Sequence, residues 1–360
     1  MINNKRKFFI ILLLVYLSLT IYYFISHYKE AKSSTLNVYE KISQQKDIHY
    51  LIIGDSIGRG AGVKDRNLTW FKQWEQLMNQ HFRIKLNRHS LVQSGATVYE
   101  GLYLFKQAEK NDHIDLIFIV FGENDRKYMK ANQFSSLYET LIKEVKNVYP
   151  NAEIMTITES CLAHQAFAHT IMKLSNQYQA SHIDMREPFQ HSKLPVEQLT
   201  SDLIHPNSKG YQLYAMAIYQ TIDEGIYKNK QISKQPTQIP PSSFLEISQY
   251  HKKNGEFYLL NEDQVTNKYD ASISYRFTGN NVGVKVFVGP DKGSIDVFID
   301  KHYIRTLSTF WPIPKHRVLY VESNLPEGDH EVTFIFSKNN SDNTSIKNPN
   351  MQISSIMVYK

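Results

Sequence analysis

His49-Tyr50-Leu51-Ile52-Ile53-Gly54-Asp55-Ser56 is a short run of large side chains that ends on a glycine and delivers an acid and a serine. Apolar residues at consecutive positions, without alternation, suit a strand buried on both faces, as in a parallel sheet covered by helices. The serine then stands at the carboxyl end of that strand, where open α/β sheets bind their ligands. Two further runs have the same character. Asp115-Leu116-Ile117-Phe118-Ile119-Val120-Phe121 is closed by Gly122, and Ala152-Glu153-Ile154-Met155-Thr156-Ile157 follows it. Amphipathic stretches between and after them predict helices near Trp70–His81, Tyr99–Lys110, Phe134–Tyr149, Ala166–Gln179 and Asn207–Tyr227. Strand and helix in alternation predict an α/β fold, a three-layer domain with a parallel sheet, over residues 48–228.

Beyond this domain the periodicity changes. Gln231–Ser243 is polar and carries prolines without a repeat, so residues 229–243 read as a linker. Residues 244–360 alternate at period two: Val282, Val284, Val286 and Val288, then Ile295, Val297 and Ile299, then Val332, Phe334 and Phe336. Turn signals at Gly279-Asn280-Asn281, Pro290-Asp291-Lys292-Gly293 and Pro326-Glu327-Gly328 separate the runs, which predicts an all-β sandwich closed by a strand at Ile353–Tyr359.

At the other end, Phe8–Ser26 is uncharged and follows Lys5, Arg6 and Lys7. As a helix it covers about 28 Å, close to a bilayer core. Its length and the lack of a small-x-small site after it favour a membrane-spanning anchor over a cleaved signal peptide. The preceding cations place the N-terminus in the cytoplasm and the rest of the chain outside. Residues 1–27 are thus expected to form a cytoplasmic tip and anchor, and residues 28–47 a polar, partly helical stalk.

Among 360 residues, 42% are hydrophobic and 21% charged, as in a globular protein with a substantial core. The single Cys161 excludes an intrachain disulfide and a Cys-rich zinc site. A net charge of +6 suits acidic polymers or anionic membrane surfaces. No Lys/Arg stripe with interleaved aromatics is present, so nucleic acid is not an expected partner.

Four segments carry chemistry. Ser56 is a candidate nucleophile, but a serine needs a base within hydrogen-bond reach. Asp202-Leu203-Ile204-His205 supplies one: the carboxylate can take one ring N–H and leave the other nitrogen facing the serine. Asn207, past Pro206, can cap the helix that follows. An oxyanion needs fixed donors. The Ser56 N–H, the backbone of Gly95 in Gln93-Ser94-Gly95-Ala96, and the side-chain amide of Asn124 in Gly122-Glu123-Asn124-Asp125 are candidates. Taken singly, each has a plainer reading: a capping serine, a turn glycine, an Asn bonded to its own backbone, an exposed loop histidine. A two-metal site would need a histidine where Gly122-Glu123-Asn124-Asp125 has none, and His164 and His169 lack companion ligands, so neither metal nor cofactor is expected.

In this order the blocks resemble the SGNH, or GDSL-type, hydrolases over about residues 48–228. Ile57 stands where leucine is usual, and Asn207-Ser208-Lys209-Gly210-Tyr211 also looks like the family. The resemblance implies Ser56 as nucleophile, Gly95 and Asn124 as oxyanion donors with the Ser56 N–H, His205 as base and Asp202 as its partner. The C-terminal part more loosely resembles the jelly-roll modules joined to some carbohydrate esterases of that family. Together with outward topology, this points to an extracytoplasmic esterase acting on an acylated glycan, with acetyl the expected acyl group. The alternatives are an O-acyltransferase using the same residues on an extracellular polysaccharide, and a non-catalytic glycan-binding or assembly protein.

Overall fold

The computed structural model describes residues 14–23, 36–111, 113–232, 242–339, 346 and 348–360. The α/β unit contains β1 (Ile48–Gly54), β2 (Leu86–Val92), β3 (Leu116–Val120), β4 (Glu153–Thr158) and β5 (Ser181–Asp184). Its helices are α1 (Val38–Ser43), α2 (Trp70–Phe82), α3 (Val98–Gln107), α4 (Ala131–Val148), α5 (Gln165–Gln177), the short α6 (Arg186–His191) and α7 (Val196–Leu199), and α8 (Ser208–Tyr227). The strands form one parallel sheet in the order β2-β1-β3-β4-β5.

Side-chain alternation divides the core between the two faces of this sheet. Leu51, Ile53, Ile117 and Ile119 join α3, α4 and α5 on one face. Tyr50, Ile52, Leu116 and Phe118 join Trp70, Trp74, Tyr214 and Ile218 on the other. Both faces are covered, which is why the strands read as unbroken apolar runs. Register matters more for function. Gly54 at the end of β1 pairs with Val92 on one side and Val120 on the other. The loops that carry Ser56, Gly95 and Asn124 therefore leave the sheet side by side at one edge.

The reading of residues 28–47 as a stalk requires a correction. Asn37 caps α1 in a reciprocal capping box with Glu40, and Val38, Tyr39 and Ile42 are buried in the core. The Tyr39 ring lies so close to Gly225 of α8 that a Cβ there would come within 2.2 Å of it. Lys41 is ion-paired with Asp115 at 2.6 Å. Residues from about Asn37 onward thus belong to the α/β unit. Of the apolar segment 8–26, only 14–23 are among the described residues, and they are helical; the remainder lies outside them. No helix among the described residues is long and apolar enough to cross a membrane.

The C-terminal unit is built from β6 (Phe244–Ile247), β7 (Lys252–Asn254), β8 (Tyr258–Leu260), β9 (Asp263–Thr266), β10 (Ser272–Thr278), β11 (Asn281–Val288), β12 (Ser294–Ile299), β13 (His302–Ser308), β14 (Lys315–Glu322), β15 (Asp329–Phe336) and β16 (Met351–Tyr359). They make two antiparallel sheets, ordered β13-β12-β15-β10-β7 and β14-β11-β16-β9-β8, with β6 added along β16. The period-two residues, Val284, Val286, Ile295, Val297, Val332 and Phe334 among them, fill the space between the sheets. Of the expected linker, residues 233–241 lie outside the described residues.

The two units share a core. Val318 and Tyr320 of β14 and Met357 and Tyr359 of β16 pack with the α3 side of the α/β sheet. The Tyr99 hydroxyl donates to the Met357 carbonyl at 2.6 Å, and Gly283 gives the Tyr99 ring room that a Cβ would fill. The Tyr359 hydroxyl donates to Glu144 at 2.8 Å. The Arg317 guanidinium grips Glu100 at 3.1 and 2.5 Å, both side chains 5% exposed. A fork-to-fork pair of this kind fixes orientation as well as distance.

Candidate active site

Asp202, His205 and Ser56 form a continuous hydrogen-bonded line. His205 Nδ1 lies 2.7 Å from Asp202 Oδ2, and His205 Nε2 lies 2.9 Å from Ser56 Oγ, across 149 positions of sequence. The local chain is bent to make this possible. Asp202 Oδ1 accepts from the backbone N–H of Ile204 and His205 at 3.1 and 2.8 Å, and Leu203 occupies the left-handed region at φ 70°. For a branched side chain that backbone is unfavourable and persists only where its surroundings impose it. Partial burial works to raise the Asp202 carboxyl, but the N–H groups of His205 and Ile204 and the imidazole outweigh it and hold it below the usual carboxylate range. Asp202 therefore stays anionic at neutral pH. Past Pro206, Asn207 caps α8 by accepting from the N–H of Lys209 and Gly210.

Gly95 and Asn124 border one cavity of about 240 Å³, whose other walls include Thr97, Trp311 and Arg317. Ser56 is not among its walls, so the cavity begins on the donor side of the serine. The backbone N–H groups of Ser56 and Gly95 have no hydrogen-bond acceptor among the described residues. Gly95 sits at φ 71°, a conformation glycine adopts freely. The C-terminal domain closes over it: a Cβ on Gly95 would lie 3.3 Å from the Trp311 indole and 3.5 Å from an Arg317 nitrogen. The Asn124 amide gives one hydrogen to Asp55 Oδ2 at 2.7 Å, and an amide nitrogen has a second to offer.

Beneath these donors lies a buried group of acids that no local sequence pattern announces. Asp55 takes the Ile57 N–H on Oδ1 and Asn124 on Oδ2. Burial pushes its carboxyl up to about 6, against hydrogen bonds from Glu159, Ile57 and Gly58 and the attraction of His205. Glu159 is fully buried and accepts the Glu123 N–H at 2.7 Å. Burial and the neighbouring Asp55 carboxyl raise it well above the ordinary range. Asp125 accepts the Val98 N–H at 2.7 Å. Burial carries it up to about 8, the Val98 N–H opposes the rise, and Asp55 adds to it. Glu123, which reads as an indifferent position, is buried and grips Arg126 through two hydrogen bonds. Among the described residues no cluster of three His, Cys, Asp or Glu is arranged to hold a metal ion.

A parallel α/β sheet with a Ser-His-Asp line at its carboxyl edge and unpaired N–H donors beside it defines a serine hydrolase. Residues 52–213 match the GDSL-like lipase/acylhydrolase family, and the α/β unit that holds them is a serine ester hydrolase domain. No curated protein sequence matches the chain. Among solved structures, a two-domain esterase (CEX) active on acetylated mannans, co-crystallised with mannopentaose, is similar over 90% of this chain and 94% of its own, with a TM-score of 0.66 and 14% identity. At that identity the likeness is one of fold, and it extends over both domains. An acetylxylan esterase from Geobacillus stearothermophilus (Axe2) is similar over 50% of this chain and 96% of its own, at a TM-score of 0.43 and 16% identity.

Proposed function

We propose that this chain is a membrane-anchored, extracytoplasmic carbohydrate esterase that removes small acyl groups, acetyl foremost, from a cell-surface or secreted glycan. Ser56 attacks the ester carbonyl while His205 takes its proton, and Asp202 holds the imidazole in the tautomer that can do so. The tetrahedral oxyanion is met by the N–H groups of Ser56 and Gly95 and the second amide hydrogen of Asn124. His205 then protonates the departing sugar oxygen, which leaves as the free hydroxyl, and water, activated by the same base, releases the acyl group as acid.

The observation that carries the glycan reading is the position of Trp311. An indole from the β domain lies over Gly95, at the wall of the cavity that holds the oxyanion donors, so the second domain contributes directly to the space where the alcohol side of the ester must sit. A flat aromatic face suits a sugar ring, and the fold is shared across both domains with an esterase whose substrates are acetylated mannans. The apolar run at Phe8–Ser26 behind Lys5, Arg6 and Lys7 supports anchoring with the catalytic domain outside.

The test is acetate release from O-acetylated polysaccharides by the parent chain and by Ser56→Ala, alongside hydrolysis of 4-nitrophenyl acetate. Several orders of magnitude should be lost on both substrates with the fold intact by circular dichroism. Transfer of acetyl to an added polysaccharide in place of release to water would make the enzyme an acyltransferase with the same residues. Turnover undiminished in Ser56→Ala would remove the assignment.

A further inference from the structure

The esterase reading leaves the charge of the glycan open, and the distribution of ionic groups around the cleft bears on it. A second hollow lies at the seam between the domains beside the cavity of Gly95 and Asn124, and Lys127 and Tyr128 border both. The second hollow is also bordered by Lys130, Arg305 and Glu322. The carboxylates that border the two hollows already have partners: Glu100 is gripped by Arg317, and Glu322 lies 3.4 Å from Arg305.

The cations are not matched in the same way. Lys127 and Lys130 are exposed and form no ion pair among the described residues. By Gly95, the Lys315 ammonium donates to the Gln93 side-chain oxygen at 2.5 Å and lies 5.7 Å from the Trp311 ring centre, again with no carboxylate in ion-pair range. Arg59, exposed and three residues past Ser56, is near enough to repel it. Burial, then Arg317, and then Arg59, against the pull of Glu100, hold the Lys315 ammonium below its ordinary pKa. Like charges gathered around a half-enclosed cleft focus a positive potential there, and an anion entering it is stabilised.

We infer that the glycan is anionic, with carboxylate or phosphate groups that seat against Lys127 and Lys130 along the domain seam and against Arg59 and Lys315 near the nucleophile. This rests on the esterase reading and adds the charge of the polymer to it. The polymer's own charges act only in binding; the ester cleaved is uncharged.

The test compares the full-length chain, in mild detergent, on O-acetylated polygalacturonate, an O-acetylated glycerol-phosphate polymer and O-acetylated glucomannan. The expected result is a kcat/KM at least about tenfold higher on one of the two anionic polymers, which also tells carboxylate from phosphate. That advantage should collapse between about 0.01 and 0.15 M salt, where the screening length falls from about 30 to 8 Å. Lys127→Gln with Lys130→Gln, and separately Arg59→Gln with Lys315→Gln, should lower the anionic-to-neutral ratio about fivefold or more, chiefly through KM. Arg59→Lys should keep it. Equal rates on charged and neutral polymers, or no effect of salt on the ratio, would overturn the inference. Loss of nitrophenyl acetate turnover in Ser56→Ala shows separately whether the esterase reading holds.

Discussion

The Asn124 amide ties the loop after β3 to the loop after β1, since its donor to Asp55 spans 69 positions of sequence. In the proposed mechanism its other hydrogen meets charge that exists only in the transition state. Asn124→Ala is therefore expected to lower kcat by about 10²–10³ with little change in KM. Steady-state kinetics on nitrophenyl acetate would decide it, and an effect confined to KM would make Asn124 a substrate contact instead. Asp125, beside it, offers a test in stability. Its carboxyl is raised to about 8, mainly by burial, and its Oδ2 has no partner among the described residues. A carboxyl raised on folding contributes stability that is full below its ordinary unfolded value and is lost as pH rises through about 8. Asp125→Asn keeps an acceptor for the Val98 N–H and removes the charge. Its melting temperature relative to the parent should be more favourable at pH 8 than at pH 5, and an equal offset at both pH values would refute the raised carboxyl. None of this was legible beforehand. Asp55 reads as part of a Gly-Asp-Ser block and Glu159 falls past the third apolar run, and their burial against one another depends on contacts distant in sequence.

At the scale of elements, long periodic segments were legible and short or polar ones were not. The helix expected near Trp70–His81 spans Trp70–Phe82, and that near Asn207–Tyr227 spans Ser208–Tyr227, because each carries a continuous apolar stripe facing the sheet. Leu86–Val92 is hard to read as a strand since it edges the sheet and is half-buried everywhere but at the exposed Ser90, so neither face shows a clean pattern. Ser181–Asp184 is the opposite edge and only four residues long. The burial of α1 is hidden for another reason. Six residues with three buried apolar side chains look like a polar stalk until α8 is present to receive them. Burying Val38, Tyr39 and Ile42 is worth about 5 kcal/mol as an upper bound. A chain starting at residue 36 should accordingly keep the parent's melting temperature, whereas one starting at residue 48 should melt many degrees lower. Equal melting temperatures would show α1 to be a loosely held appendage.

The whole molecule is organised by its interdomain seam. Val318, Tyr320, Met357 and Tyr359 complete the core of the α/β unit, and the Glu100–Arg317 pair is sealed within the contact. A buried pair broken on one side leaves an uncompensated charge, which costs about 3–5 kcal/mol. Arg317→Met should thus destabilise strongly, and Arg317→Met with Glu100→Leu should recover much of the loss. Thermal unfolding of the single and double variants would measure the coupling, and simple additivity would count against a pair that pins the domains. Topology is also a property at this scale. The full chain should sediment with membranes, and protease added to intact, wall-stripped cells should reach residues beyond about 36. Protection of the catalytic domain from that protease would remove a cell-surface glycan from its substrates.

Sequence by itself determined the class of fold, the family and the residues of the Ser-His-Asp line, because each rests on local order: apolar runs ending in glycine, a period that shifts to two after residue 244, and short blocks in fixed succession. Tertiary structure alone decided what surrounds those residues. Trp311 over Gly95, Arg317 on Glu100 and the acids beneath Asn124 are side chains whose partners stand tens to hundreds of positions away. Their pairing follows from strand register and domain packing, which no local pattern encodes.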